Sequence, residues 1–488
     1  MILINPRSTK FGIFDKYIPL SVPIGIGYLA ATLLANNKRA KIIDEHIDLI
    51  SKGLLKDTLK GLSEPYVFGI STLTACVARS YEIASLIKNL YPKSKIVLGG
   101  IHPTVLPEEV LGNSDIDFVV RGEGENIVVE LYDAIKNNKD HSRIKGISFR
   151  ASGKVVNNPE AEMPDLKRLP AFPYHLFDKN SHRYNFSFIA SSRGCPYKCI
   201  FCSQRSISGQ QFRYIPTNVV IDEIDMLINK YGQAHINFVD DNFTINKTRV
   251  AELCEAIIGR RFHDRVSFDC QTRADAVDDE ILDLLKKAGF RLIDFGIETA
   301  SERLMILLNK KETVQDNIEA VRSAKKHGFG VSGTFIFGLP SETRSDRTRA
   351  YRLAKELDLD YVRFNNATPY PGTVLYDIAK KEGRLFIKEN WSNLNACASL
   401  AQDSPTETKL PYVPLGCDEK VLRRDIVKAN LFFSLRPKRI LKLLVKRVGP
   451  AGWFYLRPKW YLNPREWLGL IYLGYRLLKA LVMAYVGF

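Results

Sequence analysis

Acidic residues are nearly missing from one end of this chain. Residues 436–488 contain one, Glu466, against eleven lysines and arginines, a net +10 of the +16 carried by all 488 residues. The basicity therefore belongs to a tail, whose natural partners are polyanions: an anionic membrane surface or nucleic acid. No basic stretch leading into an apolar run follows Met1, so a secretory signal peptide is not expected. Met1-Ile2-Leu3-Ile4 reads as a strand instead. An uninterrupted membrane-spanning run is missing too. Trp467–Val486 is long enough to span. Its nine Leu, Ile and Val contribute about −3 to −5 kcal/mol, but Arg476 and Lys479 together cost about +5 to +7 kcal/mol. A basic amphipathic helix at the lipid–water interface fits better, with a docked structural helix as the alternative. Pro437–Val448 has the same character, with Lys438, Lys442 and Lys446 on one helical face and Ile440, Leu444 and Val448 on another. A disulfide framework is also absent. Three of the eight cysteines crowd into one loop, which argues for a reducing, cytoplasmic setting. Cys76, Cys254, Cys270, Cys397 and Cys417 are scattered and read as small buried residues.

What is present is organised around Ser192-Arg193-Gly194-Cys195-Pro196-Tyr197-Lys198-Cys199-Ile200-Phe201-Cys202, with the spacing C-x3-C-x2-C. Thiolates are the ligands of iron–sulfur clusters. Three local cysteines on a four-iron cluster would leave one iron open for coordination. A zinc knuckle lacking its fourth ligand and three unrelated thiols are the plainer alternatives.

The spacing resembles that of the radical S-adenosylmethionine (SAM) enzymes. The resemblance implies a [4Fe-4S] cluster held by Cys195, Cys199 and Cys202, with SAM on the open iron and Phe201 near its adenine. It also implies one-electron cleavage of SAM to a 5′-deoxyadenosyl radical, and a low-potential donor of flavodoxin or ferredoxin type.

Upstream, residues 1–137 alternate candidate strands (Met1–Ile4, Lys41–Asp44, Tyr66–Ser71, Lys95–Gly99, Ile116–Val120) with candidate helices (Ile24–Leu34, Val77–Leu90, Glu125–Ile135). That is the pattern of a doubly wound parallel sheet, whose ligands bind beyond the strand carboxyl ends. Ser71-Thr72-Leu73 and Gly99-Gly100 stand at two such ends. The S-x-L and G-G pattern resembles the cobalamin-binding domain and implies that Ser71-Thr72-Leu73 and Gly99-Gly100 contact cobalamin; Arg121-Gly122-Glu123-Gly124-Glu125 resembles a segment of B12-domain radical SAM proteins. One departure stands out. Cobalamin domains that ligate cobalt through histidine carry D-x-H-x-x-G after the first strand, and Asn5-Pro6-Arg7-Ser8-Thr9-Lys10 has none. Asp44-Glu45-His46 imitates half of the motif after the second strand, with Leu49 in place of its glycine. His46 is therefore read as a polar strand-end residue.

Residues 138–183 read as a linker, with a hairpin at Ser152-Gly153 and then a proline-rich strap. Over 184–385, six apolar runs (Ser187–Ser191, His235–Val239, Val266–Asp269, Leu292–Gly296, Val331–Phe337, Tyr361–Phe364) alternate with helical patterns. They read as a six-unit partial barrel with function at the strand carboxyl ends. Arg273, Gly296, Glu298 and Gly338 sit there and match family positions for SAM, although Glu342 is displaced by one residue from the family's G-x-I-x-G-x-x-E. Residues 386–488 read as a mostly helical basic extension.

The expected fold is thus α/β: a Rossmann-like cobalamin-binding domain, a six-unit partial (β/α) radical SAM barrel and the helical extension. The expected activity is methylation of an unactivated carbon in a hydrophobic substrate such as a lipid, isoprenoid or tetrapyrrole. Radical ring formation without methyl transfer is one alternative. A non-enzymatic iron–sulfur protein binding nucleic acid is another, disfavoured because it has no use for an open iron. The localisation that follows is cytoplasmic, peripheral at an anionic membrane.

Overall fold

The computed structural model describes residues 1–7, 20–387, 391–394, 396 and 409–436. The expected helices at Pro437–Val448 and Trp467–Val486, and Ser8-Thr9-Lys10 of the first loop, lie outside the described residues.

Strands β1 (Ile2–Asn5), β2 (Lys41–Asp44), β3 (Val67–Ser71), β4 (Lys95–Gly99), β5 (Phe118–Val120), β6 (Ile147–Ala151) and β7 (Lys154–Asn157) form one sheet in the order β2-β1-β3-β4-β5-β6-β7. The first five are parallel. Their apolar runs are continuous because both faces are covered. Alternate residues divide between two cores: Ile2, Ile4, Phe68, Ile70, Ile96 and Leu98 in one, Leu3, Val67, Val97 and Phe118 in the other. Chain order reverses between β1 and β3, and the crevice at that switch point is where such sheets hold ligands.

The Ser152-Gly153 hairpin, read from sequence as part of the connection, extends this sheet. Phe149 pairs antiparallel with Phe118. Ser152 and Gly153 both take positive φ, 49° and 77°, as a two-residue hairpin turn requires. Arg150 ties the hairpin down, donating to the carbonyls of Leu111 (2.6 Å), Asn113 (3.1 Å), Ser114 (3.1 Å) and Ile116 (2.6 Å).

The second sheet has six parallel strands in chain order: β8 (Phe188–Ile189), β9 (His235–Phe238), β10 (Ser267–Thr272), β11 (Phe290–Glu298), β12 (Gly330–Phe337) and β13 (Tyr361–Asn366). Helices between them pack on an aromatic core that includes Phe238, Phe268, Phe290, Phe295, Phe335 and Phe364. Capping boxes Thr313/Asp316 and Thr343/Asp346 start two of these helices. The open edge of β13 is covered by helix Glu419–Ser434, where Asn430 bonds both backbone groups of Phe364 (3.1 and 2.8 Å). Among the described residues no helix is long and apolar enough to cross a membrane.

Candidate functional site at the strand carboxyl ends

The cysteine loop leaves a two-strand ribbon in which Ser192–Arg193 pairs antiparallel with Arg213–Tyr214. The loop is held by its backbone. Gly194 has φ +85°, and its N–H donates to Asp241 Oδ2 at 3.1 Å. Ile200 N–H donates to Leu308 O (3.1 Å), and Ile200 O accepts from Leu375 N–H (2.9 Å). Lys198 O accepts from the Asn309 side chain at 3.0 Å. Asp240, buried at the end of β9, accepts from the Ser191 and Ser192 hydroxyls. Asp240 and Asp241, which follow β9, thus anchor the loop.

Cys195, Cys199 and Cys202 are free thiols, half-buried. Burial pushes all three upward, Cys199 to about 12, and the Arg273 charge opposes this at Cys195 and Cys199. Metal binding must therefore expel protons from them. Among the described residues no three His, Cys, Asp or Glu side chains converge on a point that could hold one ion. A cubane does not require that, since each thiolate binds a different iron. Three reduced thiols on one fixed loop fit that donor set.

Arg273, Gly296 and Glu298 are brought together by a residue that sequence reasoning missed, Lys310. Its ammonium bonds the Gly296 carbonyl, approaches Glu298 Oε1 at 3.7 Å and pairs with Glu312 at 3.0 Å. Arg273 donates to Asp275 (2.9 and 2.8 Å) and to the Lys310 carbonyl (2.7 Å), and lies 3.4 Å from the Tyr197 ring centroid. Glu298 holds φ +63° where β11 breaks register, and burial raises its carboxyl above the usual range against the pull of Lys310. A Cβ at Gly296 would lie 2.6 Å from Glu298 Oε1 and 3.3 Å from Lys310 Nζ, so a side chain there would push the carboxylate and the ammonium aside. Lys310 has no motif to announce it; strain at a non-glycine strand end is the signal, and it is visible only in the fold. Phe201, partly buried, packs against the apolar cluster that includes Ile200, Leu304, Leu339 and Leu375.

Gly338 lies in a separate group. The displaced glutamate folds back: Glu342 accepts from Gly338 N–H at 2.5 Å and from Arg347 at 3.2 Å. It closes the strand-end loop. Burial pushes its carboxyl from 4.5 up to about 7. The native state then holds a proton that the unfolded chain has lost, so stability falls as pH rises from about 4.5 to about 7. Glu342→Gln should flatten that slope, an effect on the order of 1–3 kcal/mol read from urea midpoints across the window. An unchanged slope would show that Glu342 is ionised throughout.

At the first sheet, Ser71 and Leu73 line a depression of about 200 Å³ with Asn5, Pro6, His46 and Cys76. It sits at the β1/β3 switch point. Thr72 turns away and is fully buried, its hydroxyl 3.0 Å from Ser80 and its N–H on Gly99 O at 2.7 Å. Gly100 has φ +103°, and a Cβ there would lie 2.8 Å from Thr72 O. Gly100 therefore lets two strand-end loops meet backbone to backbone, a cradle that a side chain at that position would force apart. His46 is held by Asp44, whose Oδ1 accepts its N–H and faces its ring Nδ1, both at 3.1 Å. The loop Pro369-Tyr370-Pro371-Gly372-Thr373 reaches the short helix Ile101–Val105 that follows Gly100: a Cβ on Gly372 would lie 2.8 Å from Val105 and 3.3 Å from Ser206.

Residues 189–354 match the Radical SAM superfamily and residues 17–132 the B12 binding domain. The chain is 32% identical over 432 residues to an uncharacterized methyltransferase of Pyrococcus horikoshii, covering 88% of this chain and 91% of that one. It is 29% identical to the anaerobic magnesium-protoporphyrin IX monomethyl ester cyclase of Cereibacter sphaeroides, covering 75% and 61%. Its fold is similar to that of the radical SAM methyltransferase TsrM of Kitasatospora setae, solved with cobalamin and a [4Fe-4S] cluster: TM-score 0.65, 19% identity, 87% and 81% covered.

Proposed function

The chain belongs to the cobalamin-dependent radical SAM methyltransferase family, and from that premise we propose that it methylates an unactivated carbon of a hydrophobic substrate. Its cofactors are a [4Fe-4S] cluster, SAM and cobalamin. When bound, the cluster and SAM supply one-electron chemistry and cobalamin supplies the methyl group. The observation that carries the reading is that the cysteine loop and the Ser71/Gly100 cradle belong to two sheets of one chain, each at strand carboxyl ends.

The residues divide the work. Cys195, Cys199 and Cys202 hold the cluster as thiolates. Arg273 is the cation for the SAM carboxylate, and Glu298 is the acceptor for its ammonium or ribose hydroxyls. Gly296 and Phe201 shape the remainder of that pocket, while Gly338 closes the neighbouring strand-end loop with Glu342. Ser71, Leu73, Gly99 and Gly100 take cobalamin, and Thr72, expected to join them, instead ties the two loops together through its own backbone hydrogen bonds. The electron donor is a low-potential flavodoxin- or ferredoxin-like protein.

The basic tail from 436 onward supports a hydrophobic substrate met at an anionic membrane surface, since each Lys or Arg near such a surface adds about 1 kcal/mol of attraction. The relative that acts on a magnesium-protoporphyrin ester makes a tetrapyrrole a concrete candidate. That relative's cyclase name also supports ring formation as the second reading. One experiment separates them. The full chain, reconstituted anaerobically with its cofactors and a donor, is given lipid extract in anionic vesicles, and products are read by mass spectrometry. Gain of one CH2 is expected, and loss of hydrogens without it would favour the cyclase reading. A chain ending at 435 should cleave SAM normally yet turn over vesicle substrate poorly. Equal turnover would remove the support that the tail lends.

A further inference from the structure

The ribbon that carries the cysteine loop contains an arrangement that two strands would not adopt alone. Arg193 and Arg213 stand directly opposite each other in its register. Like charges at such positions repel. The charge that reconciles them comes from the other sheet's half of the molecule. Glu123, in the loop after β5, binds Arg193 at 3.0 Å through one oxygen and Arg213 at 2.7 and 3.0 Å through both. Glu125 adds a second carboxylate to Arg193 at 2.8 Å. All four side chains are at most 15% exposed. Ion pairs this buried are a poor source of stability, but they tolerate only one relative placement of their partners.

Both ends of this cluster are wired to cofactor residues. On one side, Gly122 N–H donates to Thr104 Oγ1 at 2.9 Å, and that hydroxyl donates to Gly100 O at 2.7 Å. On the other, Arg193 is followed directly by Gly194 and Cys195, with Gly194 pinned to Asp241. Arg213 also holds its own strand, donating to Pro164 O (2.9 Å) and Ser208 O (3.1 Å). A path of hydrogen bonds, interrupted only by the peptide links Gly122-Glu123 and Arg193-Gly194-Cys195, thus joins the Gly100 cradle to the first cluster cysteine.

We propose that Glu123, Glu125, Arg193 and Arg213 form a clasp that sets the separation between the cobalt and the iron–sulfur cluster. None of the four touches reacting atoms in this scheme; they are positioning residues. The need is physical: groups that must react across a gap lose rate steeply when their placement drifts by about 1 Å.

The test uses the full chain loaded with both cofactors and no substrate, so it stands apart from the methylation reading. Cob(II)alamin and the reduced cluster are both paramagnetic, and their dipolar coupling in pulsed electron paramagnetic resonance reports the distance between them. Two variants approach the clasp from opposite halves: Glu125→Gln and Arg193→Lys. Both should retain iron and cobalamin while the distance distribution broadens and its mean shifts, and Glu125→Asp should recover most of the native distribution. A native distribution in both Glu125→Gln and Arg193→Lys would overturn the proposal. Loss of either cofactor from both variants would also overturn it, because the cluster of charges would then be an element of folding.

Discussion

Replacing Cys195, Cys199 or Cys202 by alanine, one at a time, should abolish conversion of SAM to 5′-deoxyadenosine. The loop does not depend on its thiols for shape. Gly194 is held by Asp241, Ile200 by Leu308 and Leu375, and Lys198 by Asn309. Each variant should therefore fold, with stability changed by no more than about 1 kcal/mol. On the proposed assignment what is lost is a ligand, and a four-iron cluster with two protein thiolates cannot keep one iron free and the others bound. Iron content should fall together with activity. Cys254→Ala and Cys270→Ala make the comparison useful. Both thiols are buried in the aromatic core of the second sheet, so their removal should cost stability through a small cavity and leave iron content unchanged. Wild-type SAM cleavage in any of the three loop variants would sink the cluster assignment.

Gly194→Ala should be nearly as damaging without touching a ligand. A Cβ at Gly194 would lie 2.3 Å from the Gln211 carbonyl oxygen and 3.0 Å from that of Ser208. Both are backbone atoms, so no side chain can rotate away. The residue also sits at φ +85°, where an L side chain is strained. Strain and overlap together should cost about 2–5 kcal/mol. The local response is for the ribbon to open, which moves Cys195 away from the other thiols. Gly153→Ala isolates the conformational part, because Gly153 has φ +77° and nothing within 4 Å of its Cβ position. That variant should lose only about 1 kcal/mol. Urea midpoints and iron content measured on both proteins check the prediction. Native iron content in Gly194→Ala would show that the ribbon can give way without disturbing the cluster.

Several elements were legible residue by residue. Lys41–Asp44, Lys95–Gly99 and Val77–Leu90 begin and end in the structure where the sequence places them. Their apolar runs are bounded by turns, and burial on one or both faces leaves a periodicity that needs no partner to be seen. The cysteine spacing was equally local. Other boundaries moved for reasons outside the segment. Ser191, expected at the end of its strand, lies beyond β8 with its hydroxyl bonded to Asp240. The last helix of the first half was expected from Glu125 but begins at Val128, and Glu125 instead binds Arg193. Helix Lys52–Leu59 was not expected at all; it has one N-cap, Ser51, and only two buried leucines, Leu55 and Leu59.

The sequence by itself determined the two alternating α/β units, the three thiols of the loop and the strand ends at which the candidate cofactor residues stand. All of these are written in spacing along the chain, which short-range geometry converts directly into position. Only the tertiary structure decided what each of those residues does. It turned Glu342 into a loop clasp and made the Ser152-Gly153 hairpin the edge of a sheet. It gathered Arg273, Gly296 and Glu298 around Lys310, and set Glu123 between two arginines from about 70 and 90 residues away. The physical reason is common to all four. A buried charge or an unpaired strand edge must find a partner, but the choice of partner belongs to whichever groups the completed fold leaves within reach.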